Sequence, residues 1–334
     1  MATIKDVARA AGVSISTVSY ALSGKRAIAE STRRRIEDAV RDLDYRPNAG
    51  ARMLAGRRTY ILAVTEPLRP DTYTPAHMAF VLAVATAARR YDYDVLLLTQ
   101  EEADAGLRRV TSSRLVDGII VLDVLRDDER ADLVRSLDLP AVLIGVPDNS
   151  DGLVCVDLDF AAAARLAVDT LADAGHRTVG LLGHPASVYE RGSNFPPRFR
   201  DAFLEHAERR GLEARFATGE HDPAKVGSAV DSLLGPEGDM TALMMHGEEQ
   251  TQREAVAYLA DRGLTVPGDV SVISAGSTFD TTTFDPPLDV VPLIPEASSE
   301  RAVELAVAQL SAPVEPRVEL LPPTYVSHGS VSHR

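Results

Sequence analysis

Tryptophan is absent from this 334-residue chain, aromatic residues make up only 5% of it, and cysteine occurs once. With so few rings, any core must lean on Leu, Val, Ala and Ile. One cysteine excludes an intrachain disulfide framework and makes no metal site by itself. Cys155 sits in the strand-like run LVCVDLD and reads as a buried, inert thiol. No window reaches 18 apolar residues without a charge, so no membrane span is expected. The opening MATIKDVARAAG lacks the apolar stretch of an export signal, and the expected location is cytoplasmic. Walker loop, dinucleotide fingerprint, nucleophile elbow and HExxH pattern are all missing. The expectation is therefore no enzyme, no metal and no cofactor. His246, Glu248 and Glu249 are close in sequence, but they read as a ligand contact or plain surface before they read as a metal group.

What is present is a charge asymmetry. Residues 1–58 hold 12 Lys and Arg against 6 Asp and Glu, a net of +6 in a chain of −14, so residues 59–334 sum to −20. A small basic head on a large acidic body suits a nucleic-acid reader whose body is kept off the DNA. A length of 334 residues also exceeds one ordinary core, and two or three domains are expected.

The head reads as three short helices. In residues 3–11, Thr3 and Asp6 have capping-box spacing, Ile4, Val7, Ala8 and Ala11 form an apolar stripe, and Gly12 stops the run. A second helix starts after Ser14, a good N-cap, turns Val18, Ala21 and Leu22 inward, and ends at Gly24. The third covers 31–44, with Ile36, Val40 and Leu43 on one face and Ala39 beside them. Helix, glycine turn, helix is the helix-turn-helix arrangement. Its second helix should enter the major groove by its N-terminal end. There Ile15, Ser16 and Tyr20 point outward to base edges, while Thr17, Ser19, Lys5, Lys25 and Arg26 suit phosphates.

From Thr59 the pattern changes to alternating strands and helices. TYILAV, YDVLLLT, DGIIVLDV and PAVLIGV are strand-like, separated by helices near 76–90, 101–113 and 127–137. A second series follows with helices at 160–174, 198–210, 223–234 and 249–262 around TVGLLG, LEARFAT, TALMMH and DVSVISAG. A helix at 298–310 returns to the first series. Two doubly wound α/β lobes of this kind form a periplasmic-binding-protein-like clamp, with ligands at the carboxyl ends of the strands.

The runs TIKDVARAAGVSISTVSYALSG and STRRRIEDAVRDLDYRPNAGARMLAG, in that order, resemble the lac/gal repressor family. GHRTVGLLG, GLTVPGDVSVIS and ELLPPTYVSHGS extend the likeness over essentially the whole chain. The resemblance implies an all-α helix-turn-helix head at 1–46, a hinge helix and linker at 47–58, and two effector-binding lobes. These are 59–158 plus about 291–318, and 159–290 plus about 319–330. It implies a dimeric, cytoplasmic repressor of an inverted-repeat DNA operator, controlled by a small molecule. DNA contacts then include Thr3, Asn48, Arg52, Leu54 and Ala55, with Leu54 as a wedge between base steps. Tyr20 stands where many members carry Arg, so the usual half-site bases are not expected there. No heptad segment follows GSVSHR, so a coiled-coil tetramer is not expected.

Sugar-binding members of that family place an Arg, an Asn-Asp pair and an Asp around the cleft. Here Gly247-Glu248 replaces the pair, Gly276 and Ser277 occupy the later motif, and Phe195 stands near the expected Arg, with Arg191 and Arg198 close by. The expected lining is Tyr73, His77, Tyr189, Arg191, Phe195, Arg198, His246, Glu248, Gly276 and Phe279. This mixture disfavours an ordinary hexose. It leaves open an unusual sugar, a nucleoside, a natural product, another metabolite, or a cleft that binds nothing. The alternatives to a repressor are an activator, a ligand-insensitive regulator, or a solute-binding protein of the same clamp.

Overall fold

Thr3 opens the first helix by donating both its backbone N–H (2.9 Å) and its hydroxyl (2.7 Å) to the Asp6 carboxylate. Such a cap stabilises a short helix by about 1 kcal/mol. The computed structural model describes residues 2–23, 28–45, 58–69, 72–99 and 103–334. They fall into two units, Met1–Tyr60 and Ile61–Arg334. In the first unit, α1 (Ile4–Ala11) ends at Gly12 with φ +64, and α2 (Ile15–Ser23) and α3 (Glu30–Asp42) follow. Ser14 caps α2 by accepting from the Thr17 N–H at 3.1 Å. Val7, Ala8, Ala11, Val18, Ile36 and Ala39 make the miniature core. Leu43 departs from expectation: it closes α3 and is exposed, and Tyr45 is buried in the core instead. The expected roles of Gly24, Lys25, Arg26, Asn48, Arg52, Leu54 and Ala55 fall outside the described residues.

The second unit holds two parallel sheets. The first has the order β11-β5-β4-β3-β1-β2, built from β1 (Ile61–Thr65), β2 (Asp94–Leu98), β3 (Gly118–Val121), β4 (Ala141–Ile144), β5 (Val154–Leu158) and β11 (Arg317–Leu321). Helices α4 (Thr74–Arg89), α5 (Ala103–Ser112) and α6 (Glu129–Ser136) cross between its strands. The second sheet is β10-β9-β8-β6-β7, from β6 (Thr178–Gly183), β7 (Glu213–Thr218), β8 (Ala242–Met245), β9 (Ser271–Ser277) and β10 (Asp289–Pro292). Its helices are α7 (Phe160–Asp173), α8 (Ala186–Glu190), α9 (Phe195–Arg209), α10 (Pro223–Leu234) and α11 (Glu249–Asp261). α12 (Pro295–Gln309) packs on α4 and the first sheet. Strands buried on both faces explain the near-continuous apolar runs. Cys155 is fully buried on β5, and desolvation pushes its thiol up to about 12.

Two expected boundaries move: β10 keeps Val291 and Pro292 in the second-lobe sheet, past the expected crossing at about 291. Arg317–Leu321 pairs in parallel with β5 along its whole length, so the last crossing follows Leu321 rather than residue 318. Beyond it the tail returns to the second lobe, where Val326 bridges Val290. The buried Asp289 accepts from the N–H groups of His328, Gly329 and Ser330 at 2.6, 2.7 and 2.9 Å, which fixes the tail.

Candidate functional site

Parallel sheets bring the residues that follow their strands to one edge. Glu66 follows β1, Asp123 follows β3, His184 follows β6, and Gly247 and Glu248 follow β8. These groups meet in an open interlobe cleft whose empty space, part of it continuous with solvent, is about 980 Å³. Of the expected lining residues, Tyr73, His77, Arg191, Phe195, Glu248, Gly276 and Phe279 face it.

Three expected lining residues stand behind the wall. Tyr189 packs edge-on against Phe216 at 5.8 Å, with the Arg200 guanidinium over its ring. Arg198 donates to Asp157 at 2.6 Å and to the Asn194 side chain at 3.2 Å, so it holds lining residues rather than lining the cleft. His246 is buried beneath Gly276. Sequence reasoning missed Glu66, Asp123, Asp157, His184 and Asn194, which all line the cleft. Position at or just past a strand's carboxyl end was the available signal for Glu66, Asp123 and His184.

The first-lobe wall is ionic. Glu66 is 1% exposed at its side chain and lies 2.7 Å from His77 Nδ1. Burial raises the Glu66 carboxyl, with the His77 bond opposing. Burial alone would lower His77, but the hydrogen bond and charge of Glu66, aided by Asp123, outweigh it and hold the imidazole above its ordinary value. Asp123 is bonded to Arg69 and lies 3.9 Å from Arg191 of the second lobe. The ligand atoms of Glu66, His77 and Asp123 lie within 4.8 Å of one another. A cation there would have to displace the Glu66–His77 and Asp123–Arg69 contacts and sit beside two guanidinium groups. Arg130 braces this wall from behind. It donates to Thr65 Oγ1 (3.1 Å), the Leu122 carbonyl (2.9 Å) and the Asp123 carbonyl (2.7 Å), and is itself paired with Asp128.

The second-lobe wall is aromatic. Phe160 and Phe195 lie 5.1 Å apart, and His184 meets Phe195 edge-on at 5.2 Å. Desolvation pushes His184 down to about 3 and His246 well below the ordinary range, so both rings are neutral. The lobes meet through Asn194, whose side chain donates to the Val124 carbonyl at 2.5 Å and accepts from the Val146 N–H at 3.3 Å. Beside it, Leu125 and Ser193 form a backbone bridge.

In the head, Ile15 and Tyr20 are exposed at 45% and 40%, and Ser16, Lys5 and Thr3 are also on the surface. Thr17 and Ser19 are half-buried. The Ser14 hydroxyl is 2.8 Å from that of Ser16 and 2.7 Å from that of Thr17. The leading end of α2 therefore presents a cluster of hydroxyls beside an apolar side chain, chemistry that fits base edges and phosphates.

A helix-turn-helix unit and a two-lobed α/β clamp in one chain define a DNA-binding regulator built on a binding-protein scaffold. The model for bacterial regulatory proteins of the lacI family matches residues 3–48, and that for a periplasmic binding protein-like domain matches residues 168–331. The chain thus carries a lacI-family helix-turn-helix domain and a periplasmic-binding-protein-like domain, and its relatives are lacI-family regulators. It is 28% identical to the HTH-type transcriptional regulator RegA of Clostridium saccharobutylicum, over 87% of each chain. It is equally identical, at 28%, to the HTH-type transcriptional repressor PurR of Aliivibrio fischeri, over 100% of this chain and 99% of the relative. The solved lac repressor dimer bound to operator and the anti-inducer ONPF superimposes with a TM-score of 0.80 at 22% identity, covering 99% of each chain, which establishes the shared fold. Among the described residues, no helix is long and apolar enough to cross a membrane.

Proposed function

We propose that this protein is a dimeric transcriptional repressor that binds an inverted-repeat operator and is released from it, or tightened on it, by a small ligand in the interlobe cleft. The observation that carries the reading is the single chain in which the capped α2, with Ile15, Ser16 and Tyr20 outward, is joined to a clamp with a ligand-sized cleft. Relatives named as repressors align over its whole length. Two heads on a symmetric dimer double the phosphate contacts of one head and read two half-sites. Leu82, 68% exposed on α4, marks a face suited to self-association. The ionic first-lobe wall and aromatic second-lobe wall support a ligand other than an ordinary hexose. Movement of the lobes about Asn194 would then change the spacing of the 47–58 segments, and Leu54 would leave the minor groove.

The test is fluorescence anisotropy with genomic fragments, with and without a metabolite panel. The expected result is selective binding to an inverted repeat and a ligand-induced change in affinity of about 5- to 150-fold. Leu54→Ala should weaken operator binding without unfolding the clamp, and Tyr20→Ala should reorder affinities across a half-site library. Binding no tighter than to random DNA at physiological salt would overturn the reading. So would tight binding of a common hexose for the ligand class.

A further inference from the structure

His246 follows β8 and is 1% exposed, yet neither ring nitrogen has a hydrogen-bond partner. Phe199 stacks on it at 4.2 Å, His184 meets it edge-on at 4.7 Å, and Phe160 and Phe195 lie 5.8 Å away. Burial among these rings keeps the imidazole neutral, so one nitrogen donates and the other accepts. Buried polar atoms left unsatisfied cost stability, and each one calls for a reason.

Gly276 bears on that reason. It lines the cleft, and its φ is +64. A Cβ at this position would stand 2.8 Å from His246 Cδ2 and 2.9 Å from Nε2, closer than carbon packs. The Nε2 edge thus lies under a residue of the cleft wall that carries no side chain. Phe160, Phe195 and His184 line the cleft around the same place.

We propose that a shift of Gly276 uncovers His246 Nε2, one layer behind the cleft wall, and lets it anchor a flat, uncharged hydroxyaromatic ring of the effector, of the phenol class. The proposal rests on the reading that the cleft holds a small ligand. A phenolic hydroxyl both donates and accepts, so it satisfies either tautomer of the neutral imidazole. Phe160 and Phe195 supply the apolar and edge-to-face contacts that a flat ring prefers. A carboxylate or ammonium would lose its hydration against two neutral imidazoles and phenyl rings, and the nearby guanidinium of Arg198, over Phe160, is already paired with Asp157.

The experiment uses the full chain with 15N-labelled histidine and two probes of matched shape, p-cresol and toluene. The expected result is that p-cresol moves the His246 Nε2 resonance and binds at least about tenfold more tightly than toluene, equivalent to about 1.4 kcal/mol. His246→Phe and Gly276→Ala should each erase that preference. The wild-type comparison of the two probes decides on its own, whatever either variant does to folding. Equal binding of the two probes, binding of neither, or p-cresol binding with His246 unmoved overturns the anchor. Operator affinity is read in parallel on the same samples. A metabolite that shifts operator affinity while p-cresol is ignored overturns the anchor alone. p-Cresol bound at His246 with operator affinity unmoved by any cleft ligand upholds the anchor and overturns the regulatory reading.

Discussion

The two walls of the cleft each contain a buried or half-buried histidine, and the two histidines behave in opposite ways. His77 on the first lobe is held above its ordinary value, whereas His184 on the second falls to about 3. Desolvation acts on both in the same direction. What differs is the company: His77 has the Glu66 carboxylate at 2.7 Å, while His184 has Phe195 and His246. A nearby anion therefore decides charge in this cleft, and burial decides it only where no anion is at hand. The first-lobe wall holds its histidine beside an anion, whereas the aromatic part of the second-lobe wall keeps its histidines neutral, with Arg191 and Glu248 at its edge.

The largest expected effect breaks the aromatic wall. Phe199 is fully buried and stacks on His246. Phe199→Ala should cost about 3–5 kcal/mol of stability, the range for emptying a buried aromatic site. Urea unfolding of the variant would measure it, and a loss below about 1 kcal/mol would mean that the ring is not supported as described.

The next effect is a pH dependence with opposite signs on the two walls. The folded pKa of His184 lies near 3, below the ordinary 6.5, so between those values the unfolded chain binds a proton that the folded chain refuses. Its contribution to stability is present above about 6.5 and is lost as pH falls toward 3. His77 is raised, so its contribution is fully present below 6.5 and is lost as pH rises through the folded value. Urea midpoints at pH 4.5 and 7.5 should show that His184→Asn reduces the acid loss, while His77→Asn weakens the protein more at pH 4.5 than at 7.5. Identical changes at both pH values for both variants would remove the contrast.

Much of the frame was legible in the chain. The Thr3–Asp6 cap, the Gly12 stop and the apolar runs of the strands are local signals, and each depends on neighbours within a few residues. The polar half of the cleft was less legible. Glu66, Asp123 and His184 are separated by tens of residues and meet only because parallel strands end at one edge. Tyr189, Arg198 and His246 were misplaced for the converse reason. They are near the cleft in sequence terms, but side-chain direction puts them one layer behind it, and direction depends on packing that spacing alone does not encode. Leu43 and Tyr45 illustrate the same limit in the head: Leu43 fits the apolar stripe and Tyr45 does not, yet α3 ends at Asp42, Leu43 is exposed and Tyr45 is buried.

The smallest effect sharpens the comparison most directly. Glu66→Gln keeps an amide oxygen in place of the carboxylate and removes the charge that opposes His77 desolvation. Stability should change by less than about 1 kcal/mol, since a neutral hydrogen bond can replace a charged one at similar geometry. The titration of His77 should nonetheless reverse its shift relative to wild type and move downward, because burial then opposes only the more distant Asp123. Histidine NMR over a pH series would follow it. If the His77 midpoint stays where it was, Asp123 rather than Glu66 holds the charge, and the first-lobe wall would have to be read as an Arg69–Asp123–His77 chain with Glu66 protonated at its end.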